Sequence, residues 1–423
     1  MKHLSGLNNI VRALTQREYG IYAAGNLASM TGRWVQRIAI GWLTWEMTKS
    51  GTWLGAMAAV DYLPTAIFAP LAGALADKHG HLRLIKLVQW LSVGQAVGLF
   101  ILMTMGLLTV EVLLLFAFLL GMFTALGMPA RLTIIPELAK DEHLSAAITF
   151  NTLTFHIGRF LGAGLGTFLL SIGGPALAFA TNAICFLIYL IALMMLRIEI
   201  PISLGKDGSS LGIRLKKGFQ YAGKHPGIGP LMILISFFAL WGRPVVDLFP
   251  AFADVIYKAG VEGLGIMIGS AGVGAMIGGL WIAGRKESQD VTMLLFASIA
   301  LGSVMILVFV TNSWLWTAVV LIAIFGATET AVGVCSQTLL LKSTSKDMRG
   351  RIMSLYVSVF RATPAIGALA MGALSEVIGL RWSVFCGAML IVFATLWAWQ
   401  RRGIMMSALE PVEGRGPSTS VPR

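Results

Sequence analysis

Long apolar segments separated by short polar loops constrain this chain more than any other feature. The chain has 423 residues, of which 57% are hydrophobic and only 12% are charged, about half the charged fraction of a soluble protein. A helix that crosses a bilayer needs about 20 mostly apolar residues. The apolar segments predict twelve such helices, at residues 19–47, 52–76, 83–106, 111–129, 145–171, 174–197, 229–253, 261–284, 291–311, 314–341, 350–375 and 379–400. We therefore predict an all-α polytopic membrane protein.

The basic residues are distributed unevenly between the two sides of these spans. The net charge is +12, and with twelve spans only Lys49, Lys258 and Arg381 fall in loops on the side opposite the termini. Short cytoplasmic loops are rich in lysine and arginine, so both termini are predicted to lie in the cytoplasm. This placement explains the charge without a nucleic-acid partner. We expect a monomer in the bacterial inner (plasma) membrane, in contact with lipid.

A Gly- and Lys-rich connection divides six spans from six. The predicted organisation is an N-terminal six-helix bundle at 1–197, a cytoplasmic linker at 198–228, a C-terminal six-helix bundle at 229–402 and a disordered cytoplasmic tail at 403–423. Arg159 and Arg361 occupy comparable places in the fifth and eleventh spans, which indicates two pseudo-symmetric halves. Paired halves are typical of transporters, whose substrate site lies between them near the bilayer midplane.

Five arginines are predicted to lie within the hydrocarbon layer, where an unpaired charge costs about 2.5–3.5 kcal/mol. In the first span Arg33, Gln36 and Arg37 share one helical face. This face is predicted to line a cavity or to meet Asp61 of the second span, although Arg33 and Arg37 would have no substrate role if they instead extend to the membrane surface. The predicted substrate cavity comprises Asn26, Arg33, Gln36, Arg37, Arg159, Arg243 and Arg361.

Buried carboxylates are the candidates for proton coupling. Burial favours the neutral form of a carboxyl group and a nearby arginine favours the charged form, so Asp61 and Glu329 are predicted to change protonation when substrate displaces an arginine. The alternative is that each carboxylate permanently neutralises an arginine. His156 is a further candidate as a proton relay, or else a hydrogen-bonded core residue. Arg243 and Asp247 have the i, i+4 spacing of an intrahelical ion pair.

The loop between the second and third spans carries the most specific motif, GALADKHGHLR at Gly73–Arg83. Its glycines permit a tight turn, and its acidic and basic groups can bind neighbouring helix ends. This motif resembles the signature loop of the major facilitator superfamily. Together with PARLTIIPEL, NTLTFHIGRFLGAGLG and KDMRGRIMSLYVSVFRATP, it resembles the drug and siderophore exporter branch over residues 10–400.

The resemblance implies a major facilitator fold and a function in transport. It assigns a conformational latch to the residues of the loop that match the motif, Gly73, Asp77, Gly80 and Arg83. The sequence departs from the family pattern at His81 and Leu82, where basic residues are frequent. It also departs at Ala163, because related antiporters often have a Gly-Pro pair where this chain has Gly-Ala. The glycines at four-residue spacing in this span are expected to serve helix packing.

The sequence thus predicts a secondary active transporter that exports a small amphipathic or anionic molecule, of the drug or siderophore class, by alternating access and proton exchange. An importer or a lipid flippase on the same fold is the alternative, and a membrane sensor or an intramembrane enzyme is a more distant one. The six histidines are scattered, and neither an HExxH motif nor a G-x-x-x-x-G-K followed by serine or threonine occurs. We therefore expect no enzymatic activity, no cofactor, no metal site and no direct use of ATP. The expected partners are the small-molecule substrate and protons.

Overall fold

The computed structural model describes residues 11–139, 141–196, 219–285 and 290–410, which are almost entirely helical. The helices are α1 (Arg17–Thr48), α2 (Gly51–His79), α3 (His81–Thr104), α4 (Val110–Leu138), α5 (Leu144–Met195), α6 (Ile228–Trp241), α7 (Gly260–Ala283), α8 (Val291–Thr311), α9 (Leu315–Ser343), α10 (Lys346–Ile378), α11 (Leu380–Gln400) and α12 (Arg402–Leu409). Helices satisfy their backbone polar groups internally, which the hydrocarbon layer requires.

Nine helical segments within the described ranges are long and apolar enough to cross a membrane. One of them, Ala146–Met195 in α5, has 50 residues and is broken at Gly174, where φ is 64° and ψ is −168°. Glycine adopts this backbone conformation readily, and each part of α5 is long enough for one crossing. Helices α1 and α2 have 32 and 29 residues but are not among the nine. The polytopic helical fold is confirmed, and the count of twelve spans stays a prediction.

The connections alternate between two ends of the molecule. One end, named here the Ser50 end, holds the turns at Ser50, Gly106, Gly174, Lys258, Asn312 and Gly379, and the opposite end is named the Gly80 end. Related backbone conformations recur in the two halves at the Ser50 end. Lys49 and Lys258 follow the first span of each half with φ of 49° and 50°. Gly174 and Gly379 likewise join the last two spans of each half with positive φ.

Within the first half, glycines allow close contact between α1 and α5. A Cβ atom on Gly158 would lie 2.8 Å from the Met30 Cβ, and one on Gly162 would lie 2.5 Å from the Trp34 Cβ. Small residues permit this approach, and the many van der Waals contacts it creates stabilise helix pairs in lipid. The predicted packing role of this glycine run is confirmed.

The two halves contact each other mainly through α2 with α10 and through α5 with α7. A Cβ atom on Gly55 would lie 2.3 Å from the carbonyl oxygen of Ala368, which places the two backbones in direct contact. At the same end the Ser50 hydroxyl donates a hydrogen bond to Glu376 of α10. The Lys49 ammonium also pairs with Asp254, 2.8 Å away in the second half. These contacts join the halves at the Ser50 end.

The seventh predicted span changes helix type partway along its length. It begins as α6, continues as a 3₁₀ helix at Arg243–Leu248 and an α turn at Phe249–Ala251, and ends as a π helix at Phe252–Ile256. Pro244 and Pro250 lack the backbone N–H that a regular α-helix uses. Irregular helix of this kind is tolerated at membrane depth where it is buried in protein or lines a cavity.

The predicted domain boundaries are only partly covered by the structure. Residues 198–218 of the predicted linker and residues 411–423 of the predicted tail lie outside the described residues. The tail prediction needs a correction at its start, because residues 402–409 form α12 rather than a disordered segment. The buried side chains of Met405 and Leu409 hold this helix against the second half. Glu410 then accepts hydrogen bonds from Asp290 and Thr292, at the start of α8.

Candidate substrate and proton-coupling site

A group of ion pairs joins the two halves near the middle of α1. The Arg37 guanidinium donates hydrogen bonds to Asp61 of α2 and, at 2.8 Å, to Asp247 in the 3₁₀ segment of the second half. Arg33 also pairs with Asp61 at 3.3 Å. The Tyr62 hydroxyl accepts a hydrogen bond from Arg37 at 2.8 Å and donates one to Asp247 at 3.4 Å. We call these five residues the aspartate cluster.

The predicted polar face of α1 therefore meets Asp61, as its spacing indicated. The α-helical period places Arg33 and Arg37 one turn apart on the same side, and both reach a single carboxylate. The cluster has two arginines and two aspartates, so its formal charges balance. Asp247 is the most buried of the four charged members, with only 9% of its side chain exposed. Because Arg37 is its ion-pair partner, Arg37 links the charge balance of one half to that of the other.

A cavity lies beside the aspartate cluster, between α1, α2 and α4 of the first half and the start of α7 in the second. Arg33, Arg37, Asp61 and Asp247 form its polar wall, and the remaining lining is mostly apolar. Its internal volume is about 80 Å³, which is room for a few water molecules. Pockets for small-molecule ligands usually measure about 300–1,000 Å³, so this cavity is smaller than a typical small-molecule site.

A second group of charges faces the first half from α9 and the 3₁₀ segment. Arg243 pairs with Glu329 of α9 at 3.0 Å and donates a 2.7 Å hydrogen bond to the carbonyl oxygen of Phe360. His156 and Arg159 of α5 lie close enough to Glu329 to interact with it electrostatically. We call His156, Arg159, Arg243 and Glu329 the glutamate cluster. Arg159 is 6% exposed and has no ion pair or hydrogen bond with any described residue.

The intrahelical pair expected between Arg243 and Asp247 does not form. Four residues advance a side chain by about 40° around an α-helix but by about 120° around a 3₁₀ helix. These two residues lie in the 3₁₀ segment, and their side chains diverge, one toward Glu329 and the other toward Arg37. The change of helix type is therefore what sends the two charges to different partners.

Two residues predicted for the substrate cavity form polar contacts between helices. Asn26 is 5% exposed and bonds Asn151 of α5 at 3.2 Å, so it does not line the cavity. Gln36 touches the cavity wall, but its side chain is fully buried and hydrogen-bonded to Gln95 and Asn182. In an apolar layer, side-chain amides satisfy one another across helices. The assignment of Asn26 to the cavity lining is corrected accordingly, whereas a substrate contact for Gln36 stays a prediction.

Several predicted residues are placed only in part. For Arg361, Gly73 and Asp77 the structure describes only the backbone, which belongs to α10 for Arg361 and to α2 for the other two. Gly80 forms the turn between α2 and α3 with φ of 85°, and Arg83 is exposed in α3. The conformational latch therefore stays a prediction.

Sequence reasoning left unidentified the bonding partners of some groups that complete the site, among them Tyr62 and Trp34, which it named only as aromatics able to stack on a cargo. Tyr62 follows Asp61 directly, and a phenol next to an intramembrane carboxylate was a signal that it shares the carboxylate's environment. Lys49 is one of only three basic residues predicted in the loops opposite the termini. Its presence there indicated a specific acidic partner, which the structure identifies as Asp254. Trp34 lies under both Arg37 and Arg159, with guanidinium-to-ring distances of 5.4 and 5.3 Å, which spacing alone does not reveal.

The paired helical halves and the ion pairs buried between them define a multi-pass membrane transporter. The chain belongs to the transmembrane secretion effector family of the major facilitator superfamily, whose pattern it matches over residues 12–413. The superfamily resemblance predicted from the sequence is confirmed, and the family consists of transporters rather than enzymes.

Two relatives have named cargoes. The chain is 28% identical over 336 residues to the enterobactin exporter EntS of Shigella boydii, covering 78% of each chain. It is 22% identical over 358 residues to the staphyloferrin A transporter of Staphylococcus aureus, covering 82% of this chain and 87% of the relative. In fold it resembles a bacterial homologue of the human lysosomal transporter Spinster in an inward-facing, unoccupied conformation, with a TM-score of 0.74 and 15% identity over 96% of this chain and all of the other.

Proposed function

We propose that this protein exports a small amphipathic or anionic molecule by alternating access, in exchange for protons that move inward. In this proposal both termini are cytoplasmic, the Ser50 end faces outward and the Gly80 end faces the cytoplasm. The excess of lysine and arginine in loops at the Gly80 end supports this orientation. The Gly73–Arg83 loop at that end would act as the latch that holds one conformation.

The observation that carries the proposal is the bridge formed by Arg37. Its guanidinium binds Asp61 in one half and Asp247 in the other, so the halves separate at this level only if one of these contacts breaks. A buried carboxylate that loses its arginine is strongly destabilised while charged, and protonation relieves that cost. Proton binding and separation of the halves are thereby coupled through the same two bonds.

Glu329 supplies a second place for the exchange. It holds Arg243 at 3.0 Å and acts electrostatically on Arg159. When an anionic cargo binds these arginines, Glu329 loses cationic partners and takes up a proton more readily. One proton that moves down a potential of 100 mV supplies about 2.3 kcal/mol, which supports a cargo gradient of roughly fiftyfold.

The cargo class is inferred from charge and from the relatives. The described intramembrane arginines Arg33, Arg37, Arg159 and Arg243 number one more than the carboxylates Asp61, Asp247 and Glu329, so a neutral site needs an anionic ligand. The names of the two relatives specify enterobactin and staphyloferrin A. These two siderophores are therefore the first molecules to test as cargo.

Transport is tested with the full chain in proteoliposomes loaded with either siderophore and a trapped pH-sensitive dye. When the external solution is made acidic, we expect siderophore efflux together with acidification of the lumen, and a protonophore should abolish both. Protein-free liposomes serve as the control for leakage. Efflux of equal rate with and without the pH gradient would refute proton coupling, and an absence of efflux of both siderophores would refute the cargo class.

Alternating access is tested by distance measurements between spin labels on the two halves. Exposed Thr133 of α4 and Lys342 of α9 lie toward the Gly80 end and suit labelling after Cys185, Cys335 and Cys386 are replaced by alanine. We expect two distance populations whose ratio changes with pH. A single population that is unaffected by pH and by cargo would contradict the proposed movement.

A further inference from the structure

Arg159 differs from the other described intramembrane arginines because it forms no ion pair or hydrogen bond with a described residue. It is 6% exposed, its Nε atom is buried without a hydrogen bond, and it forms no ion pair with the described residues. Its stem packs on Gly272 of α7, where a Cβ atom would lie 3.6 Å from the Arg159 Cγ. The guanidinium is therefore held at the contact between the halves. A buried charge without a partner is costly, so its retention calls for a ligand.

The nearby carboxylates are already occupied. Glu329 is bonded to Arg243 at 3.0 Å, while Asp61 and Asp247 are bonded to arginines of the aspartate cluster. Neutralising Arg159 from within the described residues would leave one of those arginines uncompensated. An external anion neutralises Arg159 without this cost, and a carboxylate matches the two parallel N–H donors of a guanidinium.

Aromatic rings surround the same guanidinium. Arg159 lies over the Trp34 ring at 5.3 Å, and the Phe155 ring meets Trp34 edge-on with centroids 5.9 Å apart. Phe155 is 47% exposed, so part of its surface is accessible for contact. His156 meets Phe155 edge-on at 5.5 Å, and its Nδ1 atom is buried without a hydrogen bond. Thus a guanidinium with no ion pair, an exposed ring and a ring nitrogen with no hydrogen bond to the described residues lie close together.

We propose that Arg159, Phe155, His156 and Trp34 form a subsite for an aromatic carboxylate group of the cargo. The carboxylate binds the Arg159 guanidinium, the ring stacks on Phe155 with Trp34 beside it, and a polar substituent on the ring reaches the His156 Nδ1 atom. Aromatic pairs prefer offset or edge-on contacts, which the crossed rings of Trp34 and Phe155 offer. This subsite rests on the proposed function only for the claim that its ligand is the exported molecule.

The first test uses three probes that separate charge from aromaticity. Binding of 2-naphthoate, 2-naphthamide and cyclohexanecarboxylate to the full chain in nanodiscs is measured by calorimetry at neutral pH without a gradient. We expect 2-naphthoate to bind at least tenfold more tightly than either of the other two. Equal affinities for the naphthoate and the naphthamide, or no detectable binding of 2-naphthoate at millimolar concentration, would overturn the subsite.

The second test compares Arg159→Met with Arg285→Met. Arg285 lies over Trp281 at 4.9 Å on the exposed surface, so it is a matched arginine–tryptophan pair outside the site. Arg159→Met should lose 2-naphthoate binding and raise the melting temperature of the unliganded protein, because an uncompensated buried charge is removed. Arg285→Met should bind the probe as the wild type does. A lower melting temperature in Arg159→Met would mean that Arg159 is a structural residue.

Milder variants keep the test independent of folding defects. Arg159→Lys preserves the charge but not the planar donor pair, and we expect its affinity for 2-naphthoate to lie between those of wild type and Arg159→Met. Phe155→Leu should reduce the preference for 2-naphthoate over cyclohexanecarboxylate to less than threefold. Wild-type selectivity in both variants would contradict the assignment.

The subsite and the proposed function fail in different ways. If 2-naphthoate binding depends on Arg159 but siderophore efflux does not depend on the proton gradient, the subsite is supported and proton coupling is refuted. If the proton gradient drives efflux and Arg159→Met exports siderophore at the wild-type rate, the subsite is refuted as a cargo site and the transporter proposal is supported.

Discussion

The aspartate and glutamate clusters lie between the same two halves but differ in how their charges are balanced. In the aspartate cluster two arginines meet two carboxylates, and every charge has a partner across a helix contact. In the glutamate cluster Arg243 is paired with Glu329, whereas Arg159 forms no ion pair with any residue that the structure describes. A balanced cluster stabilises one arrangement of the halves, whereas an unbalanced one favours binding of an anion. The two clusters are therefore suited to different tasks.

The largest effect is expected from breaking the bridge between the halves. Arg37→Ala removes the ion-pair partner of Asp247, while Asp61 keeps Arg33. Removal of one member of a buried pair costs about 3–5 kcal/mol, so we expect a clearly lower melting temperature and efflux reduced at least tenfold. Thermal unfolding and proteoliposome efflux measure the two effects.

A double variant separates charge burial from function in this bridge. Arg37→Ala combined with Asp247→Asn removes both charges, so most of the lost stability should return while efflux stays low. The difference from the sum of the single variants gives the coupling energy of the pair. Additive effects on stability would mean that the two residues do not interact across the halves.

The next effect concerns which cluster senses protons. Glu329→Gln keeps the shape of the side chain but can no longer exchange a proton, so we expect the rate of siderophore efflux to lose its dependence on external pH while siderophore binding persists. Exposed Glu111 at the start of α4 provides the matched variant Glu111→Gln, which should keep the wild-type pH profile. If Glu329→Gln retains that profile, Glu329 only neutralises arginine, and Asp61 becomes the remaining carboxylate predicted for coupling.

A smaller effect distinguishes the paired arginines from the unpaired one. Arg33 shares Asp61 with Arg37, so Arg33→Met leaves that carboxylate with one partner. The lost charge-assisted hydrogen bond is worth about 1.5–3 kcal/mol, and the melting temperature should fall by several degrees. Arg159→Met is expected to move it in the opposite direction. Shifts of the same sign in the two variants, measured in the same nanodiscs, would remove the distinction between the clusters.

The sequence predicted part of this site because helical periodicity is local. The spacing of Arg33 and Arg37 placed them on one face of α1, and an intramembrane carboxylate in the next span was their nearest available partner. The same reasoning failed for Arg243 and Asp247, since it assumed an α-helix where the chain forms a 3₁₀ helix. Pro244 and Pro250 indicated that the helix is irregular there, but not which helix types it adopts. For the fold as a whole, apolar length and loop charge were sufficient.

The sequence could not predict, for a different physical reason, that Arg159 forms no ion pair with the described residues. Whether a buried charge is paired depends on which side chains approach from other helices, and α1, α7 and α9 all contribute to its surroundings. Glu329 was an available partner by sequence, and only the structure indicates that Arg243 occupies it. Counting charges predicted a cationic surplus, but the position of that surplus required coordinates.

The smallest effect is expected at the Ser50 end, where pairing between the halves is exposed to solvent. Lys49 holds Asp254 at 2.8 Å, but 57% of its side chain is exposed, and such pairs contribute about 0–1 kcal/mol. Lys258 is a matched control, since its φ of 50° nearly equals the 49° of Lys49 and alanine introduces similar backbone strain at both. Lys49→Ala should therefore lower the melting temperature only slightly more than Lys258→Ala does, with efflux within about twofold of wild type. A large loss of efflux in Lys49→Ala alone would mean that the functionally important contact between the halves lies at the Ser50 end rather than in the aspartate cluster.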